Sequence, residues 1–225
     1  LQKNLKMKYK GIEIIWLGHA GFLIKNETEK SNIVYIDPFQ LDNKDYEKAD
    51  LIFITHSHYD HCSIEDIKKI IKQDSLIVCT SDVQSKIRKV VDNIKVKIVE
   101  PGINFEISGL KDKTVNAYNI GKSFHPKNNY WLGYIIEING IKIYHAGDTD
   151  VIPEMNTIKA NIVLLPVGGA YTMTSYEAVK LAELIKPNLA IPMHYSSIIG
   201  NINDAKNFIE GCKKIGINAE ILDKE

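Results

Sequence analysis

The hydrophobic period of this chain changes twice, in the same order, and this limits the folds open to it. GIEIIWLG (11–18) and FLIKN (22–26) read as a hairpin, NIVYIDP (32–38) as a third strand and LIFIT (51–55) as a short buried strand. The period then becomes helical. Ile64, Ile67, Ile70 and Ile71 share one face, and Ser63 with Asp66 resembles a capping box with Asp in place of Glu or Gln. LIVCT (76–80) is a strand, Val83, Ile87, Val90 and Val91 mark a second helix, and VKIVE (96–100) is a strand before the Pro101-Gly102 turn. The second half begins again with strands: FEIS (105–108), TVNAYNI (114–120), WLGYIIEI (131–138) and IKIYHAG (141–147). Asn139-Gly140 between the last two is a tight-hairpin signal. NIVLLP (161–166) is a buried strand; a helix capped by Thr174 and Glu177 follows and ends at Pro187, and LAIPM (189–193) is a strand. The last helix takes Asn203 as cap, turns Phe208, Ile209, Cys212 and Ile215 inward and stops at Gly216. Two mixed sheets with helices outside would bury these faces, giving an α+β chain with one domain over residues 1–225.

Composition narrows the function. Of 225 residues, 44% are hydrophobic and 25% charged, ordinary for a globular chain. The 28 basic and 28 acidic residues cancel, which argues against a broad nucleic-acid-binding face. Three cysteines (Cys62, Cys79, Cys212) without CxxC spacing are no disulfide framework and suit a reducing cytoplasm. No run approaches the roughly 18 apolar residues of a membrane span. The basic LQKNLKMKYK is not followed by an apolar signal region, so residues 1–6 are set aside as leader-like and a cytoplasmic location is expected.

THSHYDHCS (55–63) places His56, His58, Asp60 and His61 in six positions, in a chain with seven histidines. Imidazole is a good ligand for Zn, Mn, Fe or Ni, and a buried strand gives such ligands a rigid base. The alternative, a solvated polar turn, fits poorly with three imidazoles behind an apolar run. His125 in KSFHPKN, Asp148 in YHAGDTD and His194 in IPMHY are weak singly: a surface histidine, a turn former and a core histidine. Together, each ends a strand or begins the loop after one, and strand ends on one rim can converge.

THSHYDH, lone His125, HAGDTD, PVGGAYTM and IPMHY, with the opening WLGHAGFLI, resemble the metallo-β-lactamase superfamily over about residues 11–195. More narrowly they resemble its metal-dependent hydrolase branch, related to ascorbate-6-phosphate lactonase and N-acyl-phosphatidylethanolamine phospholipase D. The resemblance implies an αββα sandwich and a two-metal site. His56, His58 and His125 would hold one ion, Asp60, His61 and His194 the second, and Asp148 would bridge. Many relatives carry a glycine soon after the Asp-His pair; here Cys62-Ser63 leads straight into a helix.

The implied activity is hydrolysis of a lactone, ester or phosphodiester by a metal-bound hydroxide, with zinc as first choice of metal. Asp60 would orient the hydroxide and carry a proton to the leaving group. The resemblance puts His19 near the site, against the alternative of a turn histidine. His145 reads as structural or as support for a ligand. Gly168-Gly169 either brings backbone N–H groups near substrate or makes a tight turn. Tyr171, Thr172 and Tyr195 shape a pocket or pack in the core. Cys62 reads as a small buried thiol, since the hydroxide already supplies a nucleophile. The alternatives are an iron dioxygenase of the same fold and a metal-binding protein without catalysis. A diiron flavoprotein is disfavoured, because His58 stands where that pattern has Glu and no flavin domain is attached. A nuclease is disfavoured by the missing extra domain and zero net charge. A small-molecule substrate is expected.

Overall fold

The computed structural model describes residues 4–26, 32–89 and 94–225. It divides into two compact units, one running to Val99 and including Leu222–Glu225, the other Glu100–Ile221. Among the described residues, no helix is long and apolar enough to cross a membrane.

The first unit is a seven-stranded sheet in chain order: β1 (Lys6–Tyr9), β2 (Ile12–Gly18), β3 (Gly21–Asn26), β4 (Ile33–Ile36), β5 (Leu51–Phe53), β6 (Leu76–Cys79) and β7 (Lys95–Ile98). Strands β1 to β4 pair antiparallel, and β4 to β7 pair parallel. The change follows the change of period, since parallel neighbours need crossovers. Helices α1 (Ile64–Ile70) and α2 (Ser81–Ile87) provide two of them. The leader-like segment overlaps a strand: Lys6 sits opposite Ile15 in the β1–β2 ladder. Ile15, Leu17, Leu23, Tyr35, Ile52 and Ile77 alternate onto one sheet face and pack with Ile67, Ile70, Val83 and Ile87. Each such burial stabilises by ~1.5–3 kcal/mol. The Val90 and Val91 expected in the second helix lie outside the described residues.

Helix α1 is capped by Ser63, whose Oγ accepts from the Asp66 amide. The box is only half made. The Asp66 carboxylate accepts instead from the Gln40 and Leu41 amides at 2.8 and 3.1 Å, pinning the chain beyond β4.

The second unit is a six-stranded sheet ordered β13-β12-β11-β10-β9-β8. Its strands are β8 (Asn104–Ile107), β9 (Leu110–Asn116), β10 (Leu132–Ile138), β11 (Ile141–His145), β12 (Ile162–Pro166) and β13 (Leu189–Met193). Again antiparallel hairpins come first and parallel pairs last. Helices α3 (Ser175–Ile185) and α4 (Ile202–Lys214) pack closely. At Gly211 an added Cβ would lie 2.5 Å from a Val179 methyl, so that contact requires glycine.

Two expected elements shift. A Ser108-Gly109 turn, with φ of 51° and 80°, starts β9 at Leu110 rather than 114. The strand leaves the ladder after Asn116, so 117–131 is a loop and His125 stands well inside it. The cap of α4 is Asn201, not Asn203. Asn201 Oδ1 accepts from the Asn203 amide at 2.8 Å, and Asp204 accepts from the Asn201 amide at 2.7 Å. Ile215, expected inward, falls beyond the helix and is 37% exposed.

Candidate metal centre

In the first unit the donors sit just past β5. Residue 54 still follows the ladder, its amide bonded to the Val78 carbonyl, and the chain then turns. Asp37, immediately past β4, holds that turn. Its carboxylate accepts from the Thr55 amide at 2.8 Å, from Thr55 Oγ1 at 2.6 Å and from His61 Nδ1 at 2.7 Å. Because Thr55 Oγ1 donates to Asp37, it accepts from His56 Nδ1, 2.9 Å away. One carboxylate thus sets two rings and leaves Nε2 as the nitrogen of His56 and of His61 that could ligate a metal. His56 Nε2 lies 3.1 Å from His58 Nδ1. His19 Nε2 donates to Asp60 Oδ2 at 3.0 Å, and His19, Asp60 and His61 offer donor atoms within 4.8 Å of one another. His56, His61 and His19 are buried, and His58 is half-buried.

In the second unit His125 and His194 both approach Asp148, with Nε2 atoms 3.3 and 3.1 Å from its Oδ2. All three are at most 3% exposed. His125 Nδ1 donates to Asn119 Oδ1 at 2.9 Å and to the Tyr171 carbonyl at 3.1 Å. Asn119 Nδ2 donates to the same carbonyl at 2.9 Å. Asp150 ties the His125 loop to the Asp148 turn, accepting from the Ile120 amide at 2.8 Å and from Lys122 Nζ at 2.5 Å. The His125 ring is therefore held in one tautomer, with Nε2 as the nitrogen that could ligate a metal.

Each unit holds strained backbone beside its donors. His19, Asp37 and His194 have φ of 51°, 43° and 60°, a region costing L-residues ~1–2 kcal/mol each. At Gly168 an added Cβ would stand 2.3 Å from the His194 carbonyl oxygen. That glycine lets the 167–173 loop close onto the backbone of His194. Thr172 and Tyr195 are buried and Tyr171 half-buried. His145 Nδ1 accepts from the Gly147 amide at 3.2 Å and so supports the turn into Asp148. Burial pushes the Cys62 thiol up to about 11, so it is protonated at neutral pH and is no nucleophile.

Asp37, Asn119 and Asp150 escaped the sequence reading. Asp37 carried a usable signal, since it ends a strand just as the ligand candidates do. Asn119 and Asp150 act through side-chain bonds within and between loops, whose geometry no local pattern announces, and carry none.

Imidazoles with their Nδ1 protons tied down, set among buried carboxylates, suit a divalent metal. Fold and donors together define a metal-dependent hydrolase of α+β class, with two mixed sheets and four helices among the described residues. Residues 13–194 match the model of the beta-lactamase superfamily domain. The chain is 33% identical over 227 residues to a UPF0173 metal-dependent hydrolase of Archaeoglobus fulgidus, covering 94% of this chain and 95% of that protein. It is 37% identical over 203 residues to one from Thermoplasma acidophilum, covering 84% and 85%. A crystal structure from Parabacteroides distasonis, provisionally assigned as a metal-dependent hydrolase, matches with TM-score 0.84 and 30% identity over 98% of both chains. The diiron β-hydroxylase CmlA of Streptomyces venezuelae shares the fold at TM-score 0.72 and 12% identity, over 96% of this chain and 53% of that one. The chain belongs to the metallo-β-lactamase superfamily, in its metal-dependent hydrolase branch.

Proposed function

We propose that His56, His58, Asp60, His61, His125, Asp148 and His194 hold two divalent metal ions, zinc first among them, in a single hydrolase domain over residues 1–225. His56, His58 and His125 take one ion, Asp60, His61 and His194 the other, and Asp148 bridges. The substrate is a small molecule carrying a lactone, ester or phosphodiester bond. The observation that carries this reading is the anchoring of Nδ1 in His56, His61 and His125, which makes Nε2 the ligating atom in each. The match to the family model across both units supports a single domain.

When bound, such ions supply Lewis acidity and lower the pKa of water to about 7. The chain does the rest. Asp60 would take the proton given up by the attacking water and pass it to the leaving group, and His19 Nε2, 3.0 Å from Oδ2, keeps that carboxylate in place. The bonds from Asp37 and Asn119 keep the His61 and His125 rings aimed. The burial of the ligands keeps bulk water away, so each fixed dipole acts more strongly. The three cysteines are free and buried, in keeping with a reducing cytoplasm. The test is hydrolysis of lactone, ester and phosphodiester panels by zinc- or manganese-loaded protein, with Asp148→Asn beside it. Turnover lost in the folded variant is expected; unchanged turnover removes Asp148 from the centre.

A further inference from the structure

The 117–131 loop that carries His125 turns apolar side chains outward. Ile120 is 55% exposed, Phe124 48% and Tyr130 64%. A single exposed apolar side chain needs no explanation, so the weight falls on Phe124, whose ring has a partner beside a candidate ligand. Phe124 is covalently next to His125, and its ring meets that of Tyr171 edge-on, with centroids 4.6 Å apart at 76°. The carbonyl of that same Tyr171 accepts from His125 Nδ1 and Asn119 Nδ2. The aromatic pair and the histidine cradle are one construction.

Cations of this loop are already engaged. Lys122 Nζ donates to Asp150 and to the Thr172 carbonyl, and Lys127 pairs with Glu154 at 2.7 Å. The loop therefore offers an incoming group a ring face more readily than a charge. The first unit repeats the motif by itself. Tyr59, between His58 and Asp60, is 63% exposed and contacts the Phe39 ring, centroids 5.9 Å apart.

We propose that Phe124 and Tyr171 form the recognition face for an aromatic ring on the substrate, making this a hydrolase of aryl-bearing esters or phosphodiesters. This rests on the metal-centre reading above. A ring laid edge-to-face on Phe124 extends the existing pair in the geometry aromatic rings favour, and its burial supplies binding that a sugar-like lactone lacks.

The test uses metal-loaded full-length protein titrated calorimetrically with methylphosphonate and phenylphosphonate. The two share an anionic head and differ in the ring. Phenylphosphonate is expected to bind at least ~10-fold more tightly. Phe124→Ala and, separately, Tyr171→Ala bring the two affinities to within ~2-fold, and Phe124→Tyr restores the preference. Tyr176→Ala, at a 67% exposed aromatic of α3, leaves the ratio unchanged. Two variants guard against one that fails to fold, which circular dichroism reads. Equal affinities in the unaltered protein, or a ring preference that survives both alanine variants, overturn the proposal. Protein that takes up two metals yet binds neither phosphonate overturns it and spares the metal assignment. Protein that takes up no metal overturns both.

Discussion

Replacing Asp37 by Asn tests whether one carboxylate sets the donor rings of the first unit. The amide oxygen can still accept from the Thr55 amide, now at 2.8 Å. The Nδ2 group then faces Thr55 Oγ1 and His61 Nδ1, which lie 2.6 and 2.7 Å from Oδ2. A donor there forces His61 Nδ1 to accept, which moves its proton to Nε2, the nitrogen proposed to ligate. Losing such a partner lowers metal affinity by ~10–100-fold, or ~1.4–2.8 kcal/mol. Two hydrogen bonds to a charged acceptor are also lost, each contributing ~1.5–3 kcal/mol. Zinc affinity is read by competition with a chromophoric chelator at neutral pH, and metal-free stability by urea unfolding. Both should fall together. Zinc affinity within ~2-fold of the parent in a folded Asp37→Asn protein would refute the reasoning, because at least 10-fold is required.

Four further outcomes are expected. Asp148→Asn abolishes hydrolysis while circular dichroism reports an intact fold; retained turnover speaks against its bridging role. Gly168→Ala must push the His194 backbone aside from a 2.3 Å contact, so metal content drops by one ion per chain, read by elemental analysis. Both oxygens of Asp112 are buried with no partner among the described residues, and burial pushes its pKa up from 3.8 to about 8. The folded form therefore keeps a proton that the unfolded chain releases, so this group's stability is complete below pH 3.8 and is lost as pH rises through about 8. The loss is ~1.4 kcal/mol per pH unit; urea unfolding of Asp112→Val between pH 5 and 8 should lack that slope, and an unchanged slope contradicts it. Cys62→Ala keeps its turnover, since a buried protonated thiol attacks nothing; lost activity in folded protein would make Cys62 part of the chemistry.

Much of the architecture was legible because apolar period and turn chemistry agreed. The Asn139-Gly140 hairpin, the box at Thr174 and Glu177, and the helix–strand alternation all lie where their residues place them. β9 was displaced because Lys111, Asp112 and Lys113 look unlike a strand, although Asp112 and Thr114 alternate inward. The cap of α4 was misplaced because two asparagines compete, and the outcome depends on Asp204 reaching back to Asn201. In the candidate site, the strand ends before His56, Asp148 and His194 were readable. His125 was not so placed, because its position depends on Asn119 and the Tyr171 carbonyl, a partner 46 residues away. The left-handed backbone of His19, Asp37 and His194 leaves no local signature, since none is glycine.

The central claim, a binuclear centre with a defined ligand split, is tested most directly by metal stoichiometry. The protein is loaded, desalted and measured by elemental analysis beside His125→Ala and His194→Ala. Two ions per chain in the parent and one in each variant, with each variant losing a different site by X-ray absorption, is the predicted result. One ion in the parent, unchanged by either substitution, would contradict the account; if that ion were iron and no ester, lactone or phosphodiester were cleaved, the dioxygenase reading would take its place.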